Sequence, residues 1–355
     1  MKVDGGPGAK APLDAIGAVC AAAERDGYDG VFVPETIHDP FVVLTLAAQA
    51  TQHVELGTKV AIAFARSPMA LAYTANDLQH LSAGRLVLGL GTQVRPHILR
   101  RFSMPWSRPA ARMREYVLAL RAIWDAWNDE KPLDFKGEFF THTLMNPLFC
   151  PPPNRYGRPQ VMMAGVGPHM IEAAGEVADR FACHSFISPA YLADVVKPAL
   201  ARGAERAGRD AAGIEIALTC YVATGNTQAE IDEAATHIRR QIAFYGSTPS
   251  YTAVLDHHGF GGLHERLHSA SRRGEWDEMG DSIDDDVLRS YCVVGSPDDV
   301  AAEILRRYRG LADRVSFYYL GSGRIDWQPI VEELQSARSE GQIHDEPRAA
   351  PVSDV

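Results

Sequence analysis

The sequence predicts an α/β protein in which strand and helix alternate eight times: a (β/α)8 barrel (TIM barrel) with insertions. Three observations predict it. The first is the stretch 54–91, VELGTKVAIAFARSPMALAYTANDLQHLSAGRLVLGLG, with two apolar, β-branched-rich runs at 54–63 and 85–91. Between them, Met69, Leu71, Ala72, Ala75, Leu78 and Leu81 follow the 3.6-residue period of a helix over 68–82, opened by Pro68 and stopped at Ala83-Gly84. Strand, helix and strand with short connections form a right-handed βαβ unit with parallel strands, and strands apolar throughout suit a sheet covered on both faces. The second is that this rhythm recurs along the chain. The third is the total: eight strands over roughly 320 residues match a (β/α)8 barrel with insertions, with a doubly wound open sheet as runner-up.

In order, a strand at 1–4 leads through a Gly-rich turn to a helix at 12–25, with Ile16, Val19, Cys20 and Ala23 on one face. A strand at 30–34 (GVFVP) ends at Glu35, and a helix covers 41–51. After the βαβ unit, a helix at 110–127 buries Met113, Val117, Leu120, Ile123, Trp124 and Trp127. The segment 132–159 differs: DFKGEFFTHTLM reads as a small hairpin and CPPPNRYGRP as a stiff linker. The rhythm resumes with strands at 160–164, 180–184 and 214–223, each followed by a helix, at 169–178, 189–207 and 227–245. Residues 246–280 carry Gly, Pro, His and Trp without a strong period and read as an excursion over the barrel mouth. Helices at 283–291 and 297–308, a strand at 314–320 (RVSFYYL) and a helix at 327–337 close the barrel. One domain thus spans 1–340, followed by a polar tail, 341–355.

Composition narrows the class. At 355 residues and 46% hydrophobic, the chain can bury a large α/β core. No run of 18 apolar residues predicts a membrane span, and MKVDGGPGAK lacks the apolar core of a signal peptide. Five cysteines (Cys20, Cys150, Cys183, Cys220, Cys292) without C-x-x-C spacing read as reduced, mostly buried thiols of a cytoplasmic protein. A formal charge of −10 argues against nucleic acid as the main partner. Asp281, Asp284, Asp285 and Asp286 precede a helix, where capping is a better account than a metal, and no metal site is expected.

Candidate site residues gather after the strands. Gly89, Gly91 and Thr92 bring bare backbone to a strand's C-terminal end, where α/β folds bind ligands. Gly165-Val166-Gly167-Pro168 lies where a strand becomes a helix, so its amides can meet a phosphate; a plain turn is the alternative. From 95 to 121, seven arginines (95, 100, 101, 108, 112, 114, 121) face one acid, Glu115, a local charge of +6. Such donors suit phosphate or carboxylates; the alternative is a solvated helix face paired with acids elsewhere. His257, His258, Tyr245 and Tyr251 line a substrate pocket or lie on loop surface.

The pieces LGTKVAIAFARSP, GRLVLGLGTQVRPHILRRF and MPWSRPAARMREYVLALRAIW resemble the luciferase-like monooxygenase superfamily. With VMMAGVGPHMIEAAGEVADRF, RRQIAFYGSTPSY, SRRGEWDEM and VVGSPDDVAAEILRRY further on, they look most like its branch of deazaflavin (coenzyme F420)-dependent oxidoreductases, over about residues 1–330. The resemblance implies a barrel, often a homodimer, with a cofactor ring at the strands' C-terminal ends and a small-molecule substrate. It carries a phosphate contact onto Gly165, Val166, Gly167, His184 and Ser185. It carries a non-proline cis peptide that buttresses the ring onto Lys59-Val60, with Ala61 beside it. Thr92 and Gln93 stand where some relatives place a catalytic Glu. Glu35 and His38 follow the second strand, where relatives show an acid followed by His; either would relay the proton that accompanies hydride transfer, or the His-Asp-Pro turn merely caps a helix. The arginines, Arg100 and Arg101 foremost, would hold the oligoglutamate tail of the deazaflavin, which FMN lacks. The implied activity is hydride transfer between F420 and an organic substrate; the alternatives are an FMN-dependent monooxygenase and a non-catalytic flavin-binding barrel.

Overall fold

The computed structural model describes residues 1–343. The first half runs β1 (Lys2–Gly5), α1 (Ile16–Arg25), β2 (Gly30–Val33), α2 (Pro40–Ala50), β3 (Glu55–Thr58), β4 (Ala61–Ile62), α3 (Pro68–Leu81), β5 (Leu86–Gly91), α4 (Arg95–Arg100) and α5 (Pro109–Asn128). A hairpin of β6 (Phe135–Lys136) and β7 (Thr141–His142) follows where DFKGEFFTHTLM predicts one. Then come β8 (Gln160–Ala164), α6 (Pro168–Val177), β9 (Arg180–Cys183), α7 (Pro189–Tyr191), α8 (Lys197–Arg206), β10 (Glu215–Ala223) and α9 (Gln228–Gly246). The last stretch holds α10 (Thr252–Asp256), α11 (Gly261–Arg273), α12 (Trp276–Asp281), α13 (Asp285–Tyr291), β11 (Cys292–Val294), α14 (Pro297–Tyr308), β12 (Arg314–Tyr318) and α15 (Gln328–Ile343).

Eight strands close a parallel ring in the order β1, β2, β3, β5, β8, β9, β10, β12, with β12 pairing back to β1. The predicted barrel is therefore the observed one. Several details differ from the sequence reading. The run 54–63 is two strands, β3 and β4, with a cis Lys59–Val60 peptide between them. The helix expected at 189–207 is α7 and α8 joined by a π turn, Leu192–Val196. Residues 246–280 form short helices, of which α11 buries only Leu263 and Leu267; two apolar positions are too few to show a period. β11 is three residues long and was not expected; it pairs with the upper part of β10. Of the expected tail, 341–343 belong to α15, and the rest lies outside the described residues.

Alternate residues of a barrel strand face the interior, and here they stack in layers. At the floor, the wholly buried Arg314 donates to both carboxylate oxygens of Asp4 (2.6 and 2.8 Å), to Glu55 (2.6 Å) and to Glu215 (2.8 Å). Arg180 donates to Glu55 at 2.7 and 2.9 Å and to Gln160 at 2.8 Å. Phe32, Val87, Met162, Ala182 and Ala217 form an apolar layer above. Two residues further along β10 and β12, Thr219 and Ser316 meet at 3.2 Å, and then Tyr221 and Tyr318 pack edge to face at 5.2 Å. The interior thus becomes polar again toward the mouth.

Candidate active site

The ends of β2, β3 and β5 are tied into one unit. Lys59 N–H donates to Val33 O at 2.8 Å, and Thr58 Oγ1 donates to Gly89 O at 2.5 Å. A Cβ on Gly89 would stand 1.8 Å from Thr58 O, and one on Gly91 would stand 2.6 Å from Val60 Cγ2. These glycines admit the neighbouring strand; the expectation that their bare backbone faces a ligand is corrected. Ala61 is fully buried and pairs with Leu90, so its side chain belongs to the core. Val60 is half-buried, and Lys59, half-buried as a whole residue, sends its ammonium into the barrel.

Glu35 ends in a tether. Its Oε2 accepts Ile62 N–H at 2.8 Å and Arg66 Nη1 at 2.7 Å, while Arg66 Nη2 donates to Asp39 at 2.9 Å. A carboxylate engaged by a guanidinium and an amide holds β4 against β2, and this geometry assigns it no proton transfer. Asp39 also caps α2, accepting Phe41 N–H at 2.9 Å. The capping account of the His-Asp-Pro turn therefore holds for Asp39. His38 is half-buried and has no hydrogen-bond partner among the described residues.

Across the mouth, Gly167 is the N-cap of α6 in ordinary extended backbone (φ −78°), with no side chain capping the helix and nothing within 4 Å of where a Cβ would be. Gly165, by contrast, makes room for Met170, whose Cγ would lie 2.3 Å from a Cβ there. Val166 packs partly on the core. His184 follows β9, and its Nδ1 accepts Phe186 N–H at 3.0 Å, which leaves the proton on Nε2. Burial pushes this imidazole down to about 4, so near neutral pH it is an uncharged donor. Tyr245 and Tyr251 wall it at ring distances of 4.4 and 4.9 Å. Ser185 is buried beside Tyr221. An uncapped helix start with open space before it, and a neutral N–H donor after the next strand, fit the phosphate of a flavin-type cofactor.

The other expectations divide. Thr92 and Gln93 turn the chain after β5; Gln93 takes φ +59°, and its Oε1 accepts Val94 N–H at 2.9 Å. Most of the arginine cluster is paired into the scaffold. Arg108 meets Glu138, Arg114 meets Glu176, Arg121 meets Asp179 at 2.9 Å, and Arg112 is buried over the Phe64 ring at 4.6 Å. Arg101 lies over Phe102 at 4.8 Å and reaches Thr36 O at 3.5 Å. Arg95 and Arg100, on α4, are exposed and have no partner among the described residues. The alternative of arginines paired with acids is right for Arg108, Arg114 and Arg121. His258 Nε2 lies 2.6 Å from Ser188 Oγ and His257 lies 3.3 Å from Asp194, so both fasten the excursion to the barrel. Asp284 caps α13, accepting Val287 N–H at 2.9 Å, and no metal-holding group of His, Cys, Asp or Glu occurs among the described residues.

The luciferase-like monooxygenase family model matches residues 1–314. The chain belongs to that family. A relative, Rv1360 of Mycobacterium tuberculosis, is 53% identical over 294 residues, covering 83% of this chain and 86% of its own. The 5,10-methylenetetrahydromethanopterin reductase of Archaeoglobus fulgidus is 26% identical over 79% of this chain and 82% of its own. Among solved structures, the coenzyme F420-dependent tetrahydromethanopterin reductase from Methanopyrus kandleri superposes with a TM-score of 0.75 at 20% identity, covering 94% of this chain and 96% of that one. The luciferase-like barrel thus accounts for the chain's closed parallel sheet. No helix among the described residues is long and apolar enough to cross a membrane.

The sequence reading missed the inward side chains of Thr219, Tyr221, Ser316 and Tyr318. Their signal was available as alternation: Glu215, Ala217, Thr219 and Tyr221 share one face of a strand.

Proposed function

We propose that the chain is a deazaflavin (coenzyme F420)-dependent oxidoreductase that passes a hydride between the cofactor and a small organic substrate. The observation that carries the choice of cofactor is the pair Arg95 and Arg100, exposed beside the mouth and paired with no acid among the described residues. Together with the open helix start at Gly167 they supply a phosphate contact and a separate contact for an anionic tail. The relative from Archaeoglobus fulgidus, a reductase, supports an oxidoreductase. The cofactor brings the hydride chemistry itself. Gly167, His184 and Ser185 would hold its phosphate, Lys59 and Val60 its ring, and His38 would carry the accompanying proton, Glu35 being engaged with Arg66.

Titration with purified deazaflavin and with FMN tests this reading. Deazaflavin should bind at least about tenfold more tightly, a gap of about 1.4 kcal/mol. FMN binding equal or tighter would overturn it in favour of an FMN-dependent monooxygenase. Steady turnover of any substrate excludes a non-catalytic flavin-binding barrel, and His38→Ala should lower that turnover about 10²-fold with cofactor affinity little changed.

A further inference from the structure

Lys59 does more than close the end of β3. Its side chain crosses the barrel, where Nζ donates to Ser316 Oγ at 2.9 Å and to Leu218 O at 3.4 Å on the far wall. Ser316 Oγ in turn lies 3.2 Å from Thr219 Oγ1. Both acceptors are neutral, and no carboxylate among the described residues forms an ion pair with this ammonium. The floor carboxylates are neutralised by their own arginines, beneath the layer of Phe32, Val87, Met162, Ala182 and Ala217. Burial pushes Lys59 down to about 8; Asp4 on β1 and Cys183 on β9 draw it up, and Arg314 on β12 pushes it down. A buried cation held only by neutral oxygens is a cost that a purely structural role leaves unrecovered. An ammonium has three donors, and two are used.

We propose that the Lys59 ammonium is the counter-charge of the bound cofactor ring, meeting the ring's electron-rich edge of carbonyl oxygens and nitrogens from inside the barrel. This rests on the cofactor reading above, and it holds for a deazaflavin or a flavin alike, since both carry that edge. Ser316, steadied by Thr219, keeps the ammonium on the barrel axis, and the third N–H is directed to the ring. Binding then requires protonated Lys59, so the cofactor draws the lysine's pKa upward and takes up a proton. Affinity falls as pH rises through about 8.

Calorimetry at pH 8 in two buffers of different ionisation enthalpy counts that proton. Wild type should take up about half a proton per site with deazaflavin or with FMN, and Lys59→Met none. Lys59→Arg should bind without proton uptake, because a guanidinium stays charged. A second readout needs no cofactor: with six lysines in the sequence, ¹³C-methylated lysine resonances assign Lys59 by its loss in Lys59→Met. It should titrate near 8 in the free protein and higher in the complex. Cofactor binding without proton uptake in wild type, or uptake retained in Lys59→Met, overturns the inference alone. Failure of both cofactors to bind overturns the proposed function and the inference with it. Should Lys59→Met not fold, the proton counts of wild type and Lys59→Arg decide.

Discussion

At the floor of the barrel, Arg314 and Arg180 are met by Asp4, Glu55 and Glu215 within hydrogen-bond distance. At the mouth, Lys59, Arg95 and Arg100 meet no carboxylate among the described residues, and the start of α6 has no cap. Both ends collect charge and polar donors, yet only the floor saturates them. A network whose donors and acceptors are all matched holds strands together; donors left over at the strand ends are available to a ligand. Charge count alone does not separate the two, as the arginine cluster of 95–121 shows. Most of it stitches helices to neighbours, and only two of its members are left over.

The sharpest way to break this contrast is to unbalance the floor. Arg314→Met leaves Asp4 and its partners buried without their cation and should cost about 3–5 kcal/mol of stability in denaturant unfolding, while the folded fraction still binds cofactor. A cost under about 1 kcal/mol would mean that the floor is not a stabilising network. The same network responds to acid. Burial favours protonation of Glu55, but Arg180, Arg314 and Lys2 outweigh it and hold the carboxyl down to about 2. Its folded pKa lies below the unfolded value, so its contribution is complete above about pH 4.5 and is lost as pH falls toward 2. Unfolding followed across pH 2–6 should show that decline, and a flat profile would contradict it.

At the mouth, Gly167→Asp should weaken cofactor binding about 100-fold or more, near 2.7 kcal/mol, because a carboxylate would take the anion's place. Its melting temperature should match wild type, since the backbone there is unstrained and the space open; Gly167→Ala should change neither property. Normal cofactor affinity in the Asp variant would place the phosphate elsewhere. Glu35→Gln tests a residue between the two regimes. As a tether it should lower stability by about 1–2 kcal/mol, and its turnover should fall less than that of His38→Ala; the reverse order would return Glu35 to proton transfer. The smallest effect is expected for Arg95→Ala combined with Arg100→Ala. Long-tailed deazaflavin should bind about fivefold more weakly at low salt, with the loss shrinking as salt rises and absent for a tail-free analogue. An equal loss for both ligands would show that these arginines hold structure.

The barrel was legible because its signals are local and repeated: apolar runs, helical spacing, and Pro and Gly at the boundaries. Val31, Leu56, Leu88, Val161 and Phe181 are all buried strand residues within the runs that announced them. The site was legible in part. Gly167 stands at an open helix start where its motif put it, but Gly89 and Gly91 serve strand packing, which no local pattern distinguishes from ligand access. The fates of Glu35 and His257 depended on partners distant in sequence, Arg66 and Asp194. Lys59 was placed by its backbone alone. That its ammonium reaches Ser316, 257 positions away in sequence, is a product of barrel closure.

β10 is nine residues long, and its edge has two successive neighbours: β9 alongside Glu215–Leu218 and β11 alongside Tyr221–Ala223. The chain that leaves the top of β10 therefore travels through α9 to α13 and docks again beside the point of departure. Everything between is a cassette clipped to a single strand at both ends. Its length can change without adding a strand to the ring or removing one, while Tyr245 and Tyr251 tie its near end to His184 after β9.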